Sequence, residues 1–309
     1  MMVHAEGAAH TWWRRAGSRM NKPIVVGING SARSETALAW ALRRASRSKL
    51  PVIAVYAVDD RWVSPDFQYQ DLVRDAGMKL LQKVQASARA QAPDVEVEIQ
   101  LRHGSAGAAL REASKEASML VVGAHDRHWL DGGPLTDRAL QVVSASDSPV
   151  AVVPPTPDTG RHGVVVGVDG SEESLQAVSF AAAEADRAGD ELTVVLAVHG
   201  PAKWVGNELP GSGLAETIVE EDRVVLAESV AGLRDRYPDL VIHQRLETDT
   251  EPAEALVNIA REARLLVIGS RGRGAFSRLV LGSTAHAVLL NVPCPTIVTR
   301  LQKVKHDED

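Results

Sequence analysis

Two hydrophobic patterns alternate along the chain. Short apolar runs with no polar alternation occur at Pro23-Ile-Val-Val-Gly-Ile-Asn-Gly-Ser31, Val52-Ile-Ala-Val-Tyr-Ala-Val58, Met119-Leu-Val-Val-Gly123 and Ser148-Pro-Val-Ala-Val-Val153. Runs of this kind, rich in Val and Ile, read as strands buried on both faces, as in a parallel sheet. Between them apolar positions recur at spacings of three and four. Leu38, Leu42 and Ala45 mark one helix, with Ser31 or Ser34 as its cap; Val73, Leu80 and Val84 mark the next; Leu110, Ala113 and Ala117 mark a third.

The whole pattern then recurs. Pro23 to Ser31 aligns with Gly163-Val-Val-Val-Gly-Val-Asp-Gly-Ser171, and Val52 to Val58 with Leu192-Thr-Val-Val-Leu-Ala-Val198, both at an offset of 140. Met119 to Gly123 aligns with Leu265-Leu-Val-Ile-Gly269, and Ser148 to Val153 with Cys294-Pro-Thr-Ile-Val-Thr299, both at 146. The six added residues fall in a stretch holding Gly200, Pro201, Gly206, Pro210, Gly211 and Gly213, a composition that belongs on a surface loop. Helical positions repeat as well: Ser171 precedes Leu175, Val178 and Ala182, followed by Leu226, Val230 and Leu233, then Leu256, Ile259 and Ala263. Each copy reads β-α-β-α-β-α-β-α-β. The expected class is therefore α/β, two tandem doubly wound domains with right-handed crossovers. The expected boundaries are an extension over 1–20, a domain over 21–154, a proline-stiffened linker over 155–160, a second domain over 161–302 and a polar tail over 303–309.

Composition narrows the function. Of 309 residues, 45% are apolar and 24% charged, so neither disorder nor a membrane protein is indicated. No apolar window is long enough for a transmembrane helix. The first twenty residues hold Trp12-Trp13 and Arg14-Arg15 but lack the apolar core of an export signal, so the expected location is cytoplasmic, with this segment a disordered extension or the product of an upstream start codon. A net charge of -6 argues against non-specific nucleic-acid or anionic-lipid partners. The single cysteine, Cys294, reads as a small buried residue.

The richest chemistry follows the apolar run that ends at Gly269. Gly269-Ser-Arg-Gly-Arg-Gly-Ala-Phe-Ser-Arg-Leu-Val-Leu-Gly282-Ser283-Thr284 puts glycines where a strand ends and a Gly-Ser-Thr step where the helix over 285–291 begins. Glycines admit positive φ and close backbone approach, and a helix start offers N–H groups to an anion, so the stretch reads as a phosphate cradle. Ligands in open α/β sheets bind beyond the carboxyl ends of the strands at the topological switch point. The second loop there is Gly167-Val-Asp169-Gly-Ser171, where Asp169 either accepts hydrogen bonds from a ribose or adenine or caps the following helix. A Walker A loop is rejected because Ala275-Phe276 follow Gly274, with no lysine. A dinucleotide fingerprint is rejected because strand 1 carries only Gly167, Gly170 and Ser171, and the second strand ends Ala197-Val198-His199 without an acid.

The spacing that fits is G-x2-G-x9-G-[ST], met by Gly269, Gly272, Gly282 and Ser283. With the Val-Gly-Val-Asp-Gly-Ser start, the Pro-Cys-Pro-Thr-Ile-Val end and the repeat, the chain resembles the universal stress protein family as a tandem pair over nearly its whole length. The resemblance implies a five-stranded parallel sheet of order 3-2-1-4-5 in each domain and ATP bound by motif-bearing members. It implies that Asp169 and the Val198 backbone hold adenosine, and that Gly269, Gly272, Gly282, Ser283 and Thr284 hold ribose and phosphates beside Gly167. Arg271 and Arg273 either add charge to the phosphates or form a solvated basic loop. In the family the end strands, here Ala151-Val152-Val153 and Ile297-Val298-Thr299, pair between domains, so an intramolecular pseudo-dimer is expected, with homodimerisation left open.

The first copy departs from the motif, with Gly123, Asp126, Thr136 and Asp137 at the matching positions and Asn29 in place of Asp169. Two carboxylates oppose a polyphosphate, and β-branched Thr136 resists a positive φ, so no ATP or weaker ATP binding is expected there. His125, Asp126, His128, Asp131 and Asp137 match no zinc signature and read as a solvated loop; His103 is a lone histidine at a strand end. No nucleophile elbow, Ser-His-Asp set or HExxH occurs, and no base is visible beside the cradle, although Mg2+ is a candidate to neutralise phosphate charge through Ser283. The expected function is an ATP-binding sensor or regulator in stress response, with an unidentified protein partner and little or no hydrolysis. A nucleotide-independent interaction scaffold is the alternative.

Overall fold

A computed structural model describes residues 22–59, 67–124, 138–155, 160–198, 214–273 and 281–301. In the first half the elements are β1 (Ile24–Ile28), α1 (Ala32–Ser48), β2 (Val52–Val58), α2 (Phe67–Gln91), β3 (Val97–His103), α3 (Ala106–Ser114), β4 (Met119–Gly123), α4 (Arg138–Ala145) and β5 (Val150–Val153). The second half has β6 (Val164–Val168), α5 (Glu172–Ala188), β7 (Leu192–Ala197), α6 (Leu214–Ser229), α7 (Leu233–Arg236), β8 (Ile242–Glu247), α8 (Pro252–Ala260), β9 (Leu265–Gly269), α9 (Ser283–Leu289) and β10 (Thr296–Thr299). By proximity the chain separates into two compact units, one through Gly123 with Ala145–Val150, the other Ala124–Ser144 with the chain from Ala151.

The first half orders its strands β3-β2-β1-β4-β5, and the second orders β8-β7-β6-β9-β10, the same 3-2-1-4-5 arrangement. The pairings β1–β2, β1–β4, β6–β7 and β6–β9 are all parallel. Ile24, Val26, Val164, Val166, Leu266 and Val267 are wholly buried, as the unbroken apolar runs require. The outer strands differ: β3 and β8 carry Glu98, Arg102, His103, His243, Arg245 and Glu247, charges that suit strands with only one neighbour. In each half the order reverses beside the first strand, which opens a crevice between β1 and β4 and another between β6 and β9.

Helix starts and ends follow from local chemistry. Ser31, not Ser34, is the cap of α1, its Oγ accepting from Ser34 N at 3.3 Å; Ser171 does the same for α5 from Ser174 N at 3.2 Å. Leu38, Leu42, Ala45, Val178 and Ala182 are buried as the spacing predicts, but Leu175, in the first turn of α5, is 40% exposed. In α2 the buried stripe runs through Leu81, Val84 and Ala88 rather than Leu80, which is only half-buried; the two sets share the helical period, which does not by itself say which face meets the sheet. Cys294 is buried, as its composition suggested. The extension before residue 22, the linker over 156–159 and the tail from 302 lie outside the described residues, and no described helix is long and apolar enough to cross a membrane.

The two first helices end differently. Gly189 closes α5 at φ 65°, and its N–H satisfies Ala185 and Asp186 carbonyls. Lys49 closes α1 in the same left-handed conformation at φ 55°, where its Cβ is strained. Replacing Lys49→Gly should raise the chemical-denaturation midpoint, by the equivalent of about 0.5–1 kcal/mol. A lower midpoint for K49G would show that the unfolded-chain entropy of glycine outweighs the relieved strain.

Candidate functional site

The crevice between β6 and β9 is built from two strand ends that approach each other across small residues. Gly167, in β6, lies under α8: a Cβ there would stand 2.9 Å from Leu256 Cδ1. Gly27 has the same relation to Leu110, at 3.0 Å. Gly269, ending β9, faces the backbone of Glu173 at 3.2 Å, and Gly123 faces the backbone of Arg33 at 2.8 Å. Gly167 and Gly269 are therefore packing glycines in both halves. Each lets a strand end meet a helix whether or not a ligand follows.

Gly272 and Gly282 are different, and they act through space rather than through φ. Neither has a positive φ; Gly282 sits at φ −62°, ψ 151° as the N-cap of α9. A Cβ on Gly272 would collide with Asp169 Oδ2, and one on Gly282 would stand 3.2 Å from Arg271 Cα and 3.5 Å from Ser270 O. This corrects the expectation that positive φ at these positions excludes Thr136 from the first copy. What excludes a side chain at Gly282 is the passing backbone of Ser270 and Arg271. In the Asp169 turn it is Gly170 that takes positive φ, 76°, matched by Gly30 at 79°. Asp126, Thr136 and Asp137, with His125, His128 and Asp131, lie outside the described residues. His103 ends β3, and among the described residues no three His, Cys, Asp or Glu come together as a metal cluster.

Asp169 ties the two loops together. Its Oδ1 accepts from Ser171 N at 3.0 Å and Ser171 Oγ at 2.6 Å, and its Oδ2 accepts from Arg273 N at 3.0 Å. Asn29 repeats the first half of this arrangement, its Oδ1 accepting from Ser31 N at 3.1 Å and Ser31 Oγ at 2.6 Å. The turn-forming role is therefore common to both halves, and the bond to the glycine loop needs the second oxygen of a carboxylate. Burial pushes the Asp169 carboxyl upward, but the hydrogen bonds from Ser171 and Arg273 outweigh it and hold the group below its ordinary value.

Gly282 closes the far side of the loop by donating its N–H to Ser270 O at 2.9 Å, while Ser270 N donates to Thr299 O at 3.0 Å. No side chain caps α9, and Ser283 and Thr284 open its first turn toward the crevice. Val198 follows β7, and its N–H donates to Glu247 O at 2.9 Å. The two arginines part company. Arg271 is not solvated: its Nη2 pairs with Glu173 Oε1 at 3.1 Å, and both side chains are mostly buried, at 20% and 15% exposure. Arg273 is exposed, with its guanidinium over Gly170. Glu173 escaped the sequence reading, although Arg33 at the aligned position is a charge reversal that could have flagged it. His286 of α9 also escaped it.

Gly167, Asp169, Gly269, Gly272, Gly282 and Ser283 line a cleft of about 1180 Å³, whereas Val198 and Glu173 are not among its lining residues. The described titratable groups in its lining are Asp169, Arg271, Arg273 and His286. Such a site offers one carboxylate and a cationic loop at the switch point, with Gly272 and Gly282 letting the loop pack closely on Asp169 and on its own backbone.

The fold and this glycine spacing define a class, and comparison with known proteins identifies it. The profile of the universal stress protein family matches residues 20–154 and again 160–300. A universal stress protein of Mycolicibacterium smegmatis is 33% identical over 290 residues, covering 90% of this chain and 96% of that one. One of Mycobacterium tuberculosis H37Rv is 32% identical over 307 residues, covering 91% and 96%. A crystal structure of a universal stress protein from Archaeoglobus fulgidus shares the fold at TM-score 0.65 and 20% identity, over 91% of this chain and 98% of that one. The chain belongs to the universal stress protein family, as a tandem two-domain member.

The Asp169 geometry fixes a pH dependence. A carboxyl whose folded pKa is lowered contributes stability fully above its unfolded value, near 3.8, and loses that contribution as pH falls through the folded value. The stability difference between wild type and Asp169→Asn should therefore be largest at neutral pH and shrink below that value, read as urea midpoints across the acid range. A difference unchanged down to pH 2 would contradict the hydrogen-bonded carboxylate.

Proposed function

We propose that the second half of this universal stress protein binds ATP and that occupancy of this site, rather than turnover, is its output as a sensor or regulator in stress response. The observation that carries the reading is the pair Gly272 and Gly282. At both positions an added Cβ would run into the site's own loops, and unlike Gly167 and Gly269 neither aligns with a glycine of the first half. The cleft suits such a ligand: Ser283 and Thr284 stand beside the uncapped start of α9, where polyphosphate oxygens would find donors, and Asp169 lines the same cleft, where a nucleoside could donate to it. Bound ATP brings its own negative charge, and Mg2+ on its phosphates, beside Ser283, would offset it.

Hydrolysis is slow or absent in this reading. A general base is normally aimed by a third group. His286 lines the cleft, yet it is exposed, and no hydrogen bond from a described residue holds its ring. The Asp169 carboxylate already accepts on both oxygens. Occupancy would act by shifting a conformational or partner equilibrium, which needs different ATP affinity in its two states.

Isothermal titration with ATP tests the assignment together with Gly282→Val. A valine there overpacks against the Arg271 backbone and displaces the loop, a strain of about 1–3 kcal/mol, and a loss of that size in the bound state weakens ATP binding by about fivefold to over a hundredfold. Far-UV circular dichroism should stay unchanged. Absence of heat with wild type, or equal affinity in G282V, would favour a nucleotide-independent scaffold.

A further inference from the structure

We infer that Glu173 is a positioning residue of the cleft: it fixes the Arg271 guanidinium against the N-terminal turn of α5, so that this chain discriminates phosphorylated nucleosides from bare ones. The inference rests on the nucleotide reading of the same site. Arg271 is one of the residues that line the cleft and Glu173 is not, so the carboxylate does not occupy the ligand's place. The two are 3.1 Å apart, Nη2 to Oε1, and each side chain is mostly withdrawn from water. Glu173 is itself held, because it lies in the first turn of α5 and its backbone packs on Gly269.

An arginine on a loop surrenders its rotamer freedom when it grips an anion. An arginine already pinned by an ion pair has lost that freedom on folding, and the anion then meets a placed donor. Arg273 makes the contrast, since its backbone N–H is bonded to Asp169 while its side chain is exposed. The first half makes another: Arg33 stands where Glu173 stands, so no carboxylate there can fix a cation of the β4 loop from this position.

A competing effect runs the other way. Glu173 also cancels part of the Arg271 charge, and its removal would leave the cleft more positive. The two effects predict opposite signs. If placement governs, Glu173→Gln weakens binding of ATP and ADP by about tenfold and leaves adenosine affinity within about twofold, with an unchanged far-UV circular dichroism spectrum. The double variant Glu173→Arg with Arg271→Glu keeps an ion pair but turns a carboxylate toward the cleft; it should melt like wild type and lose ATP binding.

Titration calorimetry of wild type and both variants with ATP, ADP and adenosine separates the outcomes. E173Q binding ATP as tightly as wild type, or more tightly, overturns the positioning role. Equal losses for ATP and adenosine overturn it as well, since they mark general damage to the site. Wild type binding neither ligand overturns the nucleotide reading and this inference with it, whereas wild-type binding with an unaffected E173Q removes the inference alone.

Discussion

The site depends on how closely two strand ends can approach two helix starts at the switch point of a parallel sheet. Gly269 lets β9 run against the backbone of α5, and Gly167 lets α8 close over β6. Once those contacts are made, the loop after β9 passes directly over the turn after β6. Asp169 then reaches it with one oxygen while the other holds its own turn. The bond is charge-assisted and partly buried, the setting in which a hydrogen bond is worth more than in water. The close packing of Gly272 on Asp169 follows from that crossing of loops.

The duplicated chain separates what builds the fold from what is added to it. Both halves keep a glycine in the first strand, a glycine at the end of the fourth, a Ser cap on the first helix and an Asx acceptor before it. Those are the requirements of the architecture. Only the second half adds a carboxylate whose second oxygen bonds the β9 loop, an acid at Glu173 paired with Arg271, and the glycines at 272 and 282. A glycine in this motif is thus not one kind of residue. Two of the four spaced positions, Gly272 and Gly282, let the site's own loops pack closely, and Gly269 serves packing that the first half shares through Gly123.

Much of this was legible in the sequence, for physical reasons that also mark where legibility stops. Short, unbroken runs rich in Val and Ile favour strands covered on both faces, so the α/β class and the strand order were within reach once the repeat and the family resemblance were seen. The location of the cleft followed from the switch-point rule. Three features did not follow. Positive φ at the cradle glycines was expected from their identity, but a glycine is also selected where another backbone passes, and only coordinates distinguish the two. Arg271 was indistinguishable from Arg273, because pairing depends on Glu173, almost a hundred residues away. Leu175 was assigned to the core by spacing, yet it lies on the outer side of the first turn, where the period alone does not say which face meets the sheet.

The central claim is that one half of a duplicated fold carries the nucleotide site and the other has only its scaffold. Heat release of bound nucleotide from freshly purified protein, followed by chromatography and quantitation per chain, tests it most directly. The account predicts close to one ATP per chain. Two per chain would contradict it by giving the first half a working site. None, together with no shift in melting temperature on adding ATP, would contradict it by removing the site from the second.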